Sequence, residues 1–117
     1  MNDNNTILAI ETSSNICGVS LIKNGTFIDS IDEAKSKQHA EVLPKLYKKL
    51  KSRTEFSLRK IDALAISIGP GSFTGLRIGL SFTKGLAFSK NLPIIPISTM
   101  LALAYNERKL LPTLGKV

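Results

Sequence analysis

A glycine-rich turn that joins an apolar strand to a helix constrains the fold of this chain more than any other feature. Residues 69–80 hold four of the eight glycines in the sequence, at Gly69, Gly71, Gly75 and Gly79. The run before the turn, residues 61–68, is short and rich in isoleucine, which is typical of a strand covered on both faces. Beyond the turn, helical spacing connects Leu76, Leu80, Thr83 and Ala87. A strand, a glycine turn and a helix in this order indicate an α/β fold.

The turn does not match the phosphate-binding loops or the turn of a serine hydrolase. A Walker loop places lysine and then Ser or Thr directly after its last glycine, where this chain has Leu76 and Arg77. The dinucleotide fingerprint requires a final glycine where Thr74 stands, and Ser72 lacks the flanking glycines of a nucleophile elbow. Two interpretations stay open. Either the glycines permit positive φ in a structural turn, with Ser72 or Thr74 capping the helix, or the turn holds a ligand.

Apolar runs and turn residues predict the order of the other elements. Asn24-Gly25 between two apolar runs is a strong hairpin signal, and residues 38–53 carry leucines on one helical face with lysines opposite. Pro44 removes one hydrogen bond, so we expect a kink or the helix start near it. The full prediction is the order βββαβαβα, with strands at 7–12, 16–22, 27–31, 62–68 and 94–97, helices at 38–53 and 75–89, and a last helix from Ser98 or Thr99.

Three motifs follow one another along the chain. Residues 7–13 and 17–21 form an apolar hairpin pattern, residues 39–44 read His-Ala-Glu-Val-Leu-Pro, and the glycine turn comes third. Together they resemble the N-terminal lobe of the TsaB (YeaZ) family, which is paralogous to the TsaD (Gcp) family, over residues 7–104. The residues that match the signature turn of that family are Gly69, Pro70, Gly71, Ser72, Phe73, Thr74, Gly75 and Arg77.

The resemblance implies a single lobe of the ribonuclease-H-like, actin-like fold, with a mixed sheet flanked by helices. It also implies a non-catalytic scaffold role in making N6-threonylcarbamoyladenosine next to the anticodon of tRNA. TsaB-like proteins support the transferase TsaD in a complex that includes the ATPase TsaE. We therefore expect no intrinsic cofactor here, and ATP and metal on the partner subunits. Family members continue into a second lobe of similar size. We expect this chain, whose last residue is Val117, to lack that lobe.

The helix at 75–89 has almost no polar face, so it is expected to be buried on more than one side. Gly75, Gly79 and Thr83 lie four residues apart, and small side chains in such a row let another helix approach closely. Helix 38–53 alone is one candidate to cover this face. The resemblance favours a partner, because TsaB-like lobes pair with TsaD through these two helices, and a second copy is an alternative partner. The implied interface residues are His39, Leu43, Tyr47, Leu76, Gly79, Leu80 and Thr83.

The net charge of +7 arises from 16 basic and nine acidic residues, and the excess is concentrated in one cluster. The cluster consists of Lys45, Lys48, Lys49, Lys51, Arg53, Arg59 and Lys60. The candidate contacts to tRNA phosphates or to an acidic protein surface are Lys45, Lys48, Lys49 and Lys51. We favour a solvated lysine face on an amphipathic helix, because the aromatic residues that interleave the cluster are Tyr47 and Phe56 alone.

Metal-dependent catalysis, including metallopeptidase activity, is not expected. The catalytic relatives carry two histidines four residues apart that hold a metal, whereas His39 is the one histidine of this chain and Leu43 stands four residues later. Glu11 ends the first strand, where actin-like enzymes keep a catalytic carboxylate, but no second carboxylate accompanies it. We therefore assign no catalytic or metal-binding residue. The alternatives left open are a nucleotide-binding lobe of an actin-like ATPase or sugar kinase, and a small basic RNA-binding protein.

Length and composition predict one domain in the cytoplasm. A chain of 117 residues buries roughly two-thirds of the surface that it exposes when unfolded, and a hydrophobic fraction of 43% suits one core. The N-terminus lacks a basic region and an apolar run, so neither a signal peptide nor a membrane association is expected. Cys17 lies in an apolar strand and is predicted to be a small core residue.

Overall fold

The chain builds a mixed β-sheet with helices packed against it. The computed structural model describes residues 5–12, 16–34, 39–67 and 73–97. In chain order the elements are β1 (Thr6–Glu11), β2 (Ile16–Lys23), β3 (Thr26–Ala34), α1 (His39–Thr54), a 3-10 turn (Leu58–Lys60), β4 (Ala63–Ser67), α2 (Phe73–Lys90) and β5 (Ile94–Ile97). This order confirms the first seven predicted elements, and the last predicted helix, from Ser98 or Thr99, lies outside the described residues.

The sheet has the strand order β3-β2-β1-β4-β5. β1, β2 and β3 form an antiparallel meander, whereas β4 pairs parallel to β1 and β5 pairs parallel to β4. The hairpin between β2 and β3 turns at Asn24 and Gly25, whose φ angles are 54° and 76°. Two successive left-handed residues are what a two-residue hairpin of this type requires, so the prediction from Asn-Gly is confirmed.

One face of the sheet and the inner sides of both helices form the core. Leu8 of β1 pairs with Leu21 of β2 and with Leu64 of β4, so these side chains point to the same face. α1 and α2 contact each other and both pack on this face. Cys17 is buried there, as predicted. The largest fully buried aliphatic side chains are Leu8, Ile10, Val19, Leu43, Leu46, Leu50, Leu64 and Ile66.

Both helices end at a left-handed residue that is not glycine. The φ angle is 56° at Glu55 and 55° at Asn91. The N–H of Glu55 donates to the carbonyl of Lys51 at 2.7 Å, and the N–H of Leu92 donates to the carbonyl of Ala87 at 3.0 Å. These two hydrogen bonds close the C-terminal ends of α1 and α2. At its other end α1 begins at residue 39 and continues through Pro44, so the expected alternative of a helix start at that proline is wrong.

Candidate protein-interaction surface

The parallel strands β1 and β4 end at the same edge of the sheet, and the signature residues follow β4 in the chain. The last residues of these two strands, Glu11 and Ser67, share that edge, which is the usual place for ligands in α/β sheets. Gly69, Pro70, Gly71 and Ser72 lie outside the described residues. The remaining signature residues, Phe73, Thr74, Gly75 and Arg77, form the start of α2. Gly75 is buried and Arg77 is exposed.

α2 packs closely on the residue that follows β1, and the contact is made at a glycine. A Cβ added at Gly79 would collide with the hydroxyl oxygen of Thr12 and would lie 3.3 Å from the Cβ and Cγ2 atoms of the same threonine. Thr83, one helical turn later, has no exposed surface, and its hydroxyl donates to the carbonyl of Gly79 at 2.7 Å. Gly79 and Thr83 therefore face the interior and let α2 pack against the residue that follows β1.

Three residues of the expected partner interface lie in the interior of the lobe. Gly79 packs on Thr12, while Thr83 and Leu43 are fully buried. The expectation that these three residues contact a partner is therefore wrong. For Gly79 and Thr83 the physical reason is that α2 has apolar residues on nearly all sides, so the hydropathy pattern did not distinguish the side that meets the sheet from the side that meets solvent. Leu43 lies on the apolar face of α1, and that face packs in the core of the lobe.

The other expected interface residues keep some accessible surface. Leu80 is 37% exposed, and Tyr47 and Leu76 are half-buried. His39 begins α1, and its side chain lies outside the described part of the structure. The surface available to a partner is thus narrower than the sequence indicates, and it lies mainly on α2.

Three aromatic rings join the two helices to the segment that follows α1. Tyr47 of α1 makes edge-to-face contacts with Phe56, at 5.5 Å between ring centroids, and with Phe82 of α2, at 5.9 Å. Burial raises the pKa of the Tyr47 hydroxyl above its ordinary value. These contacts hold α1 and α2 together as one layer.

We expect Tyr47 to make the fold sensitive to alkaline pH. Because its pKa is raised in the folded state, its contribution to stability is fully present below the ordinary pKa of 10.0 and is lost as the pH rises through the folded pKa. Denaturant unfolding measured as the pH rises above 10.0 should show a fall in the free energy of unfolding of the wild-type chain. The fall should be smaller in Tyr47→Phe. An equal fall in both proteins would contradict this assignment.

α2 leaves apolar surface uncovered at its outer side. Phe88 is 92% exposed, and Leu80 lies two turns before it on a neighbouring part of the helix surface. Sequence reasoning selected Leu76 and Leu80 but missed Phe88, although the spacing of four residues that links Leu76, Leu80 and position 84 continues to it.

Within the described ranges, no helix is long and apolar enough to cross a membrane.

The basic cluster is exposed along α1, and one of its members, Arg53, forms an ion pair. Lys45, Lys48, Lys49 and Lys51 are all exposed. Arg53 reaches Asp29 on β3, with 2.8 Å between Nη2 and Oδ1. Such a surface pair contributes about 1 kcal/mol at most, and no sequence signal linked these two residues. For the four lysines, the described part of the chain contains no ion-pair partner.

The position that completes a histidine pair in catalytic relatives is a core position here. Leu43 lies one turn after His39 on α1, and its side chain has no exposed surface. Within the residues that the structure describes, no group of three or more His, Cys, Asp or Glu side chains is arranged to hold a metal ion. The described surface of α1 and α2 is therefore apolar and basic in character.

The sheet order and the helix layer define the class of fold as a ribonuclease-H-like lobe. RuvC from Thermus thermophilus superposes with a TM-score of 0.57 at 11% identity, over 82% of this chain and 66% of that chain, which is a likeness of fold alone. YeaZ from Pseudomonas aeruginosa superposes with a TM-score of 0.83 at 32% identity, over 92% of this chain and 50% of that chain.

Sequence comparisons identify the family within this class. The family described as TsaD, tRNA N6-adenosine threonylcarbamoyltransferase, matches residues 30–114. The tRNA threonylcarbamoyladenosine biosynthesis protein TsaB of Haemophilus influenzae is 39% identical over 101 residues, covering 86% of this chain and 42% of that protein. The chain therefore belongs to the TsaB (YeaZ) family, and the predicted resemblance is confirmed. It spans less than half the length of this TsaB relative.

Proposed function

We propose that this chain is the N-terminal lobe of a TsaB-type scaffold in the biosynthesis of N6-threonylcarbamoyladenosine on tRNA. It catalyses no step itself and instead binds and supports a TsaD-like transferase in the cytoplasm, within a complex that includes a TsaE-like ATPase. ATP and metal then belong to the partner subunits, and tRNA meets this chain indirectly. The observation that carries the proposal is the 39% identity to TsaB over 86% of the chain.

The residue one turn after His39 supports a non-catalytic role. Two histidines hold a metal together when they lie one turn apart on the same side of a helix. In this chain Leu43 occupies the second position and packs in the core between α1 and the sheet. α1 thus uses this position for stability.

α2 provides the surface on which we propose that the transferase docks. Phe88 is far more exposed than the other large apolar side chains of the described residues. Exposed aromatic side chains often become the anchors that carry most of the binding free energy at an interface. The ring contacts of Tyr47 with Phe56 and Phe82 fix α2 against α1, so little conformational freedom is lost on binding.

Replacing Phe88 with aspartate is expected to weaken binding to the transferase of the same genome at least about 30-fold, the effect of losing an interface anchor worth ~2 kcal/mol. Isothermal titration calorimetry with the two purified proteins measures the dissociation constant. Phe27→Asp is the matched control, because Phe27 is 49% exposed on β3, away from α2. This control should change the dissociation constant no more than about twofold, as expected for a surface site outside the interface.

Two other results would contradict the proposal. The scaffold role fails if the wild-type chain and the transferase do not associate at all. ATP turnover by the purified chain that is lost in Glu11→Ala would favour the nucleotide-binding lobe instead, because Glu11 ends β1 at the sheet edge where α/β folds commonly bind ligands.

A further inference from the structure

The two edges of the sheet differ in their capacity to accept another strand. β5 is the shorter edge, with four residues, and Pro96 removes one backbone donor from it. β3, at the opposite edge, has nine residues and no proline, and in the described part of the chain it pairs on one side, with β2. The other side of β3 presents backbone donors and acceptors that an added strand can use.

The side chains of β3 are acidic, although the chain as a whole has a net charge of +7. β3 contains three of the nine acidic residues, Asp29, Asp32 and Glu33, and no basic residue. Asp32 and Glu33 are exposed and, within the described ranges, neither forms an ion pair. Gly18 of β2 stands opposite Asp32, so the neighbouring strand has no side chain there to cover that carboxylate. Since consecutive residues point to opposite faces, the edge carries a carboxylate on each face.

The third carboxylate of β3 already holds a guanidinium. Oδ1 of Asp29 accepts a hydrogen bond from Nη2 of Arg53 at 2.8 Å and another from the backbone N–H of Ser30 at 2.8 Å. Arg53 comes from the last turn of α1, so the lobe itself places one basic side chain on this strand. Asp29 is thereby occupied, and Asp32 and Glu33 are the carboxylates left for basic groups of a partner.

The hairpin end of β3 is apolar. Phe27 and Ile28 are 49% and 45% exposed. The register between β2 and β3 shifts at Ile28, so a regular ladder with an added strand would begin at Asp29 and have apolar side chains beside its end. A second copy of β3 fits this edge poorly, because two acidic strands would then lie side by side.

We propose that β3 is a docking edge for an extended, basic segment of a partner protein, which adds to the sheet as a further strand. Backbone hydrogen bonds supply affinity, while lysine or arginine opposite Asp32 and Glu33, with apolar side chains near Ile28, supply selectivity. This edge is separate from the surface proposed for the transferase, since α2 packs on β1, β4 and β5. Binding of a segment at β3 therefore does not require the transferase.

The test uses a fluorescently labelled peptide as long as β3, with two lysines opposite Asp32 and Glu33 in an antiparallel register and valines at the end that meets Ile28. Fluorescence anisotropy at low salt measures its dissociation constant with the whole chain. The double variant Asp32→Asn with Glu33→Gln should bind the peptide about fivefold to tenfold more weakly, because two exposed ion pairs are lost. The matched control, Glu41→Gln with Glu55→Gln, removes two exposed negative charges outside β3 and should change the constant no more than about twofold.

Two further peptides distinguish strand addition from charge attraction. The first has the same sequence with N-methylated backbone amides, so it keeps both lysines but cannot donate hydrogen bonds to β3. The second has glutamates in place of the lysines. Each should bind at least about tenfold more weakly than the lysine peptide, because one loses the backbone ladder and the other gains like-charge repulsion.

These measurements overturn the proposal in any of four ways. The lysine peptide does not bind the wild-type chain, the N-methylated or the glutamate peptide binds equally well, or the double variant binds the lysine peptide as tightly as the wild-type chain does. The fourth result is a wild-type dimer in sedimentation equilibrium that is lost in Ile28→Lys, which would assign the edge to a second copy. Unchanged transferase binding in the double variant supports the separation of the two surfaces, and a parallel loss contradicts it.

Discussion

Gly79→Leu should lower the free energy of unfolding by about 1–3 kcal/mol, the usual cost of forcing a larger side chain into a packed interior. Even the first added carbon would collide with the hydroxyl of Thr12. Thr12 is fully buried and follows β1 directly, so it has little room to move aside. Urea unfolding followed by far-ultraviolet circular dichroism measures the change.

Gly85 provides the matched control on the same helix. A Cβ added there has no atom within 4 Å, and the residue is exposed. Gly85→Leu should therefore stabilise the lobe by up to about 1 kcal/mol, because glycine is unfavourable inside a helix. If instead Gly79→Leu keeps its stability and loses partner binding, the glycine row faces the partner and its assignment to the sheet is wrong.

The second large effect is expected at the position of the missing histidine. Leu43→Ala should cost about 2–5 kcal/mol, because the side chain is fully buried and its removal leaves a cavity. Leu43→His, which recreates the histidine spacing of the catalytic relatives, should be at least as unfavourable, because it buries a polar ring in an apolar core. Denaturant unfolding of both variants measures these costs.

Leu80→Ala is the comparison for this pair of variants. Leu80 is 37% exposed on α2, so its truncation should cost clearly less than that of Leu43. Wild-type stability in Leu43→His would show that the position is not part of the core and would return it to the candidate interface.

The division between interior and surface separates the residues that hold the lobe together from those that a partner could contact. α1 and α2 use small and branched residues to pack on the sheet, and the rings of Tyr47, Phe56 and Phe82 lock the helices together. Phe88 and the lysines then project from a layer with a fixed geometry. A layer that exposes an aromatic ring beside lysines suits the binding role proposed for this chain.

Local patterns in the sequence were sufficient to predict most of the secondary structure and the family. Asn24-Gly25 specifies its own hairpin because two left-handed residues are required there. The apolar run before the signature turn becomes β4, all of whose residues are buried. The three family motifs are likewise contiguous segments, so they could be recognised without knowledge of the fold.

The tertiary structure alone decided which residues face each other. Gly79 and Thr12 are far apart in sequence, as are Arg53 and Asp29, and nothing local marks either pair. α2 is apolar on nearly every side, so only its packing on β1 and β4 determines that the glycine row is internal and that Phe88 is exposed. Hydropathy indicates how strongly each residue favours burial. Which other residues cover its side chain depends on how the sheet and the helices pack together.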